Sequence, residues 1–338
     1  MLPTAMGASP ENRTAAETSA WRRVADRFAR FREPGREAFH EALARHFAHL
    51  ETHPVLPLHF EYAATANARG RVAADRLAPL LPRRRGLFGR GPRVLDVGCA
   101  YGGFLVAFAE RGARVTGIDL DERYVRLAAL NLRDHGLDGE IVHGDACAEH
   151  PSFRGRFDLV IANDVIEHVP RPRAFLGFLR EWLAPGGTAY LEIPNGAWPP
   201  YVLRDGHHQL FGVTLLEFAE ASAYMELYSP GGRYDTYQYF SEREYRGLFR
   251  EAGLSFELLE DEVAGIPVER ILQQCGDLRA EASQRLETVP EAMRSLIESR
   301  VAAYLARVES APRSTPEEIR RFRIDFGPAF WTVLARRA

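Results

Sequence analysis

Lysine is missing from the chain altogether, so every one of the 43 basic residues counted as Lys+Arg is arginine. Its absence excludes a Schiff-base lysine and the lysine of a phosphate-binding P-loop. A composition rich in Ala and Arg accounts for it without any functional meaning. Cysteine is nearly as scarce. Cys99, Cys147 and Cys275 are widely separated and show no C-x-x-C spacing, which argues against a disulfide framework or a zinc ribbon and fits a reducing cytoplasm. No window approaches 18 uncharged apolar residues, so no membrane-spanning segment is expected. Residues 1–18 lack an apolar h-region and do not read as a signal peptide. Positive charge is not in excess, with a formal net charge of −3, and this argues against a dedicated nucleic-acid binder. The expected partner is a small molecule.

What is present suffices for a sizeable core: 46% of the 338 residues are hydrophobic and 26% are charged. At roughly 150 residues per domain, the length implies one elaborated domain or two small ones. There is no internal repeat. Residues 1–17 read as a loose tail. Trp21, Val24, Phe28 and Phe31, then Phe39, Leu43 and Phe47, recur at helical spacing, with Pro34 and Gly35 dividing them into two helices. A further helical stretch, 60–81, leads to the linker Pro82-Arg83-Arg84-Arg85-Gly86, whose arginines read as a solvated loop.

Beyond the linker, apolar strands alternate with helices. Strands are expected at 93–97 (RVLDV), 114–118, 140–143, 157–162 (FDLVIA) and, after the Pro185-Gly186-Gly187 turn, 188–193. Helices are expected at 102–111, 122–135 and 173–183. This is the pattern of βαβ units in a parallel sheet covered on both faces. Segment 196–240 has no clear period. Ser241 and Glu244 form a capping box for a helix over 241–252, 254–259 reads as a strand, two or three helices span about 268–310, and 330–335 is a last strand.

The chemistry concentrates at strand ends. The first strand runs through Asp96-Val97-Gly98-Cys99-Ala100-Tyr101-Gly102-Gly103 into a helix. Glycines at such a turn permit a tight bend and close approach of a ligand at the carboxyl edge of the sheet. Gly98, Ala100 and Gly103 also match a loose dinucleotide pattern, which keeps an NAD-type oxidoreductase as an alternative. Asp96 argues against it, because a carboxylate there repels a pyrophosphate and suits an ammonium group. Asp119, at the end of the second strand, can accept from both hydroxyls of a ribose. Asp145, at the end of the third, can accept from an adenine amino group or simply cap its own turn.

These motifs, together with FDLVIANDVIEHV at 157–169 and Leu183-Ala184-Pro185-Gly186-Gly187, resemble the class I S-adenosylmethionine-dependent methyltransferase family. The resemblance covers about 92–262 and is nearest to the ubiquinone-biosynthesis-type small-molecule methyltransferases, which share the EHV sequence. It implies an α/β fold: a doubly wound, mostly parallel, seven-stranded Rossmann-like sheet with an N-terminal helical extension and a helical insertion before the last strand. The corresponding divisions are 1–85 for tail and extension, 86–263 for the cofactor-binding core with an acceptor lid at 196–240, 264–326 for the insertion and 327–338 for the final strand. The resemblance also implies S-adenosyl-L-methionine as cofactor and S-adenosyl-L-homocysteine as product. By position, Asp96, Gly98, Cys99, Ala100 and Gly102 belong to the methionine end, Asp119 to the ribose, Leu120, Asp145 and Ala146 to the adenine, and Asn163 to the neighbourhood of the methyl group. Ala100 departs from the family, which commonly has glycine there.

Methyl transfer is an in-line displacement, so holding the reactants collinear is the main demand. A hydroxyl acceptor also needs a base, for which neutral His suits neutral pH. His207 and His208, in the irregular segment after strand five, are the expected candidates for that base. Glu167 and His168 are further catalytic candidates. Asp164, Glu167 and His168 share one face if their stretch is helical, which reads either as a divalent metal site or base, or as a capped helix start with its His packed under the loop; the latter is favoured and no metal is expected. Ten aromatic residues in the 45 positions of 196–240 suggest a flat or aromatic acceptor, or simply packing within the lid. Trp198-Pro199-Pro200-Tyr201 looks like a base N-methylation signature but follows the wrong strand and has Trp in the polar position. The expected activity is therefore methyl transfer to a small molecule, foremost at a hydroxyl oxygen in a biosynthetic or tailoring pathway, in a cytoplasmic protein compatible with a homodimer. Nitrogen or carbon methylation and a non-catalytic cofactor-binding subunit stand as alternatives.

Overall fold

The structure, a computed structural model, describes residues 35–48, 56–81, 91–259 and 261–338. The expected tail, the helix containing Trp21 and the arginine linker at 82–86 lie outside those residues. Three helices open the described chain: α1 (Glu37–Phe47), α2 (Leu56–Ala64) and α3 (Ala66–Leu77). The alternating region follows as β1 (Arg93–Val97), α4 (Gly103–Glu110), β2 (Arg114–Asp119), α5 (Glu122–Asp134), β3 (Gly139–His143), β4 (Phe157–Asn163), α6 (Pro172–Trp182) and β5 (Leu183–Pro194). Then come α7 (Pro199–Leu203), α8 (Phe218–Tyr228), α9 (Glu242–Glu251), β6 (Glu257–Leu258), α10 (Asp261–Ala264), α11 (Val268–Glu287), α12 (Glu291–Ser310), α13 (Pro316–Phe326) and β7 (Phe330–Ala335).

The seven strands form one sheet in the order β3-β2-β1-β4-β5-β7-β6. β1 to β5 are parallel, and β7 runs antiparallel between β5 and β6. This is the doubly wound sheet the sequence predicts. Its strand order reverses between β1 and β4, which opens a crevice at their carboxyl ends. One face packs Leu95, Val97 and Val160 against Phe175, Trp182 and Phe249; the other packs Val94, Leu159 and Ile161 against Leu105, Phe108 and Leu77. β1 and β4 are buried along nearly their whole length, as strands covered on both faces must be.

Two expectations change in detail. Pro185-Gly186-Gly187 does not separate helix from strand: β5 already begins at Leu183, with a slip in its pairing to β4 between Phe157 and Leu159 and Gly186 at φ +74°. The strand expected over 254–259 shrinks to Glu257–Leu258, because Leu254 makes only an isolated bridge to Arg337 at the sheet edge. The capping box at Ser241 and Glu244 forms as predicted.

Two additions flank the crevice. In the first, α3 crosses α4 at glycines. A β-carbon on Gly70 would stand 2.3 Å from the Gly103 carbonyl oxygen, and one on Gly103 would stand 2.3 Å from that of Ala66. Asn67 and Asn131 exchange side-chain hydrogen bonds there, and Asn131 also donates to the Tyr101 carbonyl at 2.7 Å. In the second, α11 to α13 share a core with segment 202–234, where Leu210, Phe211 and Tyr224 meet Ile271, Ile297 and Val301. Buried Glu242 ties this insertion to α9, pairing with Arg246 at 2.5 Å and with Arg321 at 2.6 Å. Gly70→Ala is expected to push α3 off α4 at a cost of about 1–3 kcal/mol. Limited proteolysis should then clip the N-terminal helices at protease doses that leave the sheet intact.

Candidate active site at the carboxyl edge of the sheet

The β1 to α4 turn is folded back over β2. Gly98 and Cys99 both donate their N–H to the Ile118 carbonyl, at 2.8 and 3.2 Å, and Gly102 N–H closes the turn on the Cys99 carbonyl at 2.7 Å. Gly98 and Gly102 hold φ of +67° and +73°, a region that favours glycine. Ala100 holds φ +41°, so the departure from glycine noted above carries strain. Its N–H donates to Asp119 Oδ2 at 2.9 Å, which fixes the strained residue in place. Cys99 turns its side chain into the core, where a β-carbon on Gly117 would stand 2.8 Å from its Sγ. Only its backbone is left for the cleft.

Two buried carboxylates face this turn. Asp96 is 2% exposed, and its Oδ2 is buried with no hydrogen-bond partner among the described residues. Burial, reinforced by the charge of Asp119, pushes its pKa well above the usual carboxylate range. Asp119 accepts from Ala100 N–H and, through Oδ1, from Asp121 N–H at 2.9 Å; burial nonetheless raises its pKa against those two bonds. Next to it Leu120 is exposed. Asp145 is exposed and spends Oδ1 on Cys147 N–H at 2.7 Å, the turn-capping role, while Ala146 is half-buried beside it. Asn163 ends β4, its Nδ2 3.5 Å from the Tyr62 hydroxyl of α2, and Arg69 of α3 lies 3.5 Å over the Tyr62 ring.

Across Asn163 lies a second polar group. Asp164 takes φ +59°, and only a single 3-10 turn, Ile166–His168, follows. The helical face expected for Asp164, Glu167 and His168 therefore does not exist, yet the left-handed kink brings the three together by another route. His207 reaches them from the lid, its Nε2 3.6 Å from Glu167 Oε1 and 3.8 Å from Asp164 Oδ1; His168 Nε2 is 3.7 Å from Glu167 Oε1. His208 points its Nε2 to Asp235 Oδ1 at 3.3 Å. Both histidines of the lid are placed by Asp205, a fully buried carboxylate that accepts the N–H groups of His207, His208 and Leu210 at 2.9, 2.9 and 2.7 Å.

The electrostatics divide the histidines. Burial opposes charge on His207, but Glu167 and Asp164 outweigh it and raise its pKa. Burial, with the His207 charge added, drives His168 and His208 down to about 3. Burial and the Asp164 charge raise Glu167, while His207 holds Asp164 low although burial opposes it. Five buried atoms here complete no hydrogen bond among the described residues: Asp164 Oδ1, both Glu167 oxygens, and Nε2 of His207 and of His208. Glu167, His168 and His207 each offer a donor atom, all within 4.8 Å of one another, which is the geometry of a cation site that the sequence did not lead us to expect. The ring nitrogens facing away are engaged, His168 Nδ1 with the Asp235 carbonyl and His207 Nδ1 with the Tyr239 hydroxyl, both at 3.0 Å. Orientation of this kind accompanies metal-ligating histidines.

Asp205, Asp235 and Tyr239 were missed by sequence reasoning. Asp205 had a local signal, since an Asp before Gly and two residues ahead of His207 has the spacing of an Asx turn; the other two had none. The aromatic richness of the lid resolves mostly into packing. Phe211, Tyr224 and Tyr234 are buried in the core shared with the insertion, and Phe218 stacks on Tyr237 at 4.7 Å.

The chain is similar to known methyltransferases. A family model described as a methyltransferase domain matches residues 64–259. A "Ubiquinone biosynthesis O-methyltransferase" of Thiobacillus denitrificans is 34% identical over 172 residues, half of this chain and 67% of that protein. One of the same name from Azoarcus is 32% identical over 167 residues, 48% of this chain and 64% of that protein. A solved structure of an S-adenosylmethionine-dependent methyltransferase from Clostridium acetobutylicum aligns over 56% of this chain and 80% of its own, at 13% identity and a TM-score of 0.39.

Asp96 makes the cost of the cleft measurable. Its carboxyl ionises less readily folded than unfolded, so between the ordinary carboxylate pKa and the raised folded value the ligand-free protein should lose stability as pH rises. Asp96→Asn is expected to flatten that slope and to stabilise the ligand-free protein at pH 7 by about 1–3 kcal/mol, as thermal melts across pH would record.

Proposed function

Because the chain belongs to the methyltransferase domain family, we propose that it moves a methyl group from S-adenosylmethionine to a hydroxyl oxygen of a small molecule. The observation that carries this reading is the pairing of two polar centres across Asn163: an unpaired buried Asp96 in a glycine cradle on one side, and the Asp164, Glu167, His168 and His207 group on the other. The name of the relatives supports oxygen as the acceptor atom. A pyrophosphate-bearing dinucleotide fits poorly, since Asp96 would face its negative charge.

The residues fit the sulfonium cofactor. Asp96 and the backbone at Gly98 and Ala100 would hold its ammonium-bearing end, Asp119 its ribose, and Leu120, Asp145 and Ala146 its adenine. When bound, S-adenosylmethionine supplies a methyl carbon on a positively charged sulfur. The protein's own contribution is orientation: the turn is locked by Asp119, and α3 is locked onto α4 behind it by Gly70 and Gly103. On the acceptor side, a free His207 serves poorly as base, because Glu167 and Asp164 raise its pKa and so keep a proton on it near neutral pH. We therefore read Glu167, His168 and His207 as ligands of a divalent cation, in place of the metal-free base expected at first. Such a cation supplies a positive charge that lowers the pKa of a neighbouring hydroxyl. Asp164, held low by His207 against its own burial, would stay ionised beside that cation.

S-adenosylhomocysteine should bind the purified chain and NADH should not, and Asp119→Ala should weaken binding by about 10- to 100-fold in calorimetry, the loss of one or two hydrogen bonds to a charged group. Stripping with a chelator should cut methyl transfer to a panel of phenols and hydroxy acids by about 100-fold or more, with recovery on adding Mn2+. Full activity in protein shown by elemental analysis to be metal-free would favour the His207 or His208 base instead.

A further inference from the structure

The geometry points to Tyr239 as the positioning residue that aims His207 Nε2 at the group it forms with Glu167 and His168. This inference rests on the reading of His207 just given. His207 hangs from the lid, and its ring makes one directional bond on the side away from Glu167: Nδ1 to the Tyr239 hydroxyl at 3.0 Å. A hydroxyl both donates and accepts. It can therefore accept from Nδ1–H when Nε2 gives its lone pair to a cation, and donate to Nδ1 when Nε2 carries the proton. The imidazole keeps one orientation in both states.

The chain makes room for this tyrosine. Gly196 is buried at the end of β5, and a β-carbon there would stand 2.6 Å from Tyr239 Cβ and 2.7 Å from its Cγ. The φ of Gly196 is not in the left-handed region, so what the position needs from glycine is space and not backbone freedom. The wall behind the ring is rigid. Neighbouring Asn195 is fully buried, donates to the Asp325 and Pro328 carbonyls at 3.1 Å each and accepts Ala197 N–H at 3.0 Å.

The strand of chain leading to Tyr239 is also stitched to the turn that carries Glu167 and His168. Tyr237 N–H donates to the Glu167 carbonyl at 2.7 Å, the Asp235 carbonyl meets His168 Nδ1, and the Gln238 amide donates to the Ile166 and Val169 carbonyls at 3.0 and 2.9 Å. Residues 235–239 thus hold Glu167, His168 and His207 in one frame, with Tyr239 supplying the contact to the group that comes from the lid.

The test compares the full chain with Tyr239→Phe, which keeps the ring and its packing and removes only the hydroxyl. Mn2+ binding by calorimetry should weaken about 10- to 100-fold, the usual effect of removing a partner that orients a metal-bound histidine. The kcat should fall with the KM for S-adenosylmethionine unchanged, and the melting temperature should stay at the native value. The 15N chemical shift of His207 Nδ1, measured without added metal and assigned through His207→Gln, should move. Gly196→Ala, which pushes the ring from behind, should weaken Mn2+ in the same direction. Equal Mn2+ affinity in native protein and Tyr239→Phe overturns the inference while leaving the cation site standing. If the native chain binds no Mn2+, the cation reading fails and the nitrogen shift decides: a moved shift with lowered kcat keeps Tyr239 as the residue that positions His207, and an unmoved shift overturns it.

Discussion

Carboxyl groups buried at the carboxyl edge of the sheet, with oxygens that complete no hydrogen bond among the described residues, are the constraint on which the rest of this molecule depends. Asp96 presents a bare oxygen to the first turn, and Glu167 presents two to the acceptor side. A buried carboxyl oxygen left without a hydrogen bond is costly whether the group is ionised or neutral. A fold keeps it only where the surrounding packing is strong enough to bear it, and here that packing is the doubly covered sheet with β1 and β4 at its centre. The strand order reverses between those two strands, so Asp96 near the end of β1 and Asp164 just beyond the end of β4 stand at the ends of neighbouring strands.

The two additions to the sheet act on the two sides of that crevice separately. The N-terminal helices press on the cofactor turn through backbone-to-backbone contacts at Gly70 and Gly103, which leave no slack for the turn to open. The insertion acts at one remove. It packs against the lid core around Leu210 and Phe211, and Gly212 lies so close to Ile297 that a β-carbon there would stand 2.8 Å from Cγ2. That contact sits a few residues beyond the Asp205 hairpin that carries His207 and His208. The insertion therefore bears on where the two histidines stand, because the turn that carries them is closed on buried Asp205 and continues directly into that contact.

This division explains what the sequence could and could not disclose. The β1 turn was legible: a strand, a glycine turn and an acid at the end of the next strand are local features, and each keeps its spacing in the fold. The alanine at position 100, a departure from the family's glycine, keeps the left-handed φ that glycine would take there. The acceptor side was legible in residue type and not in arrangement. Asp164, Glu167 and His168 suggested a helical face, and they meet instead through a left-handed Asp164 that no periodicity encodes. Asp235 and Tyr239 come from some seventy residues downstream and left no trace at all, since pairing across that distance depends on how the lid closes. The aromatic enrichment misled in part, because Tyr224 and Tyr234 serve the core shared with the insertion.

The absence of lysine, which composition explains, is compatible with this setting. A lysine beside buried carboxylates can neutralise them by salt bridge and can also lose its proton, so it would both quench the site and add a second titrating base. Arginine offers charge without that proton exchange. Arg69, close enough to help hold Asp164 low, stacks its guanidinium on Tyr62 and donates to that residue's carbonyl at 2.8 Å, which restrains it from folding inward onto Asp164 or Glu167. On the proposed reading, Asp96 would meet the cofactor's ammonium, and a divalent cation would join the charge that His207 already places beside Asp164 and Glu167. A site built so can discriminate against an uncharged cofactor analogue with no dedicated contact, because such a ligand would leave the buried carboxylates as unbalanced as before.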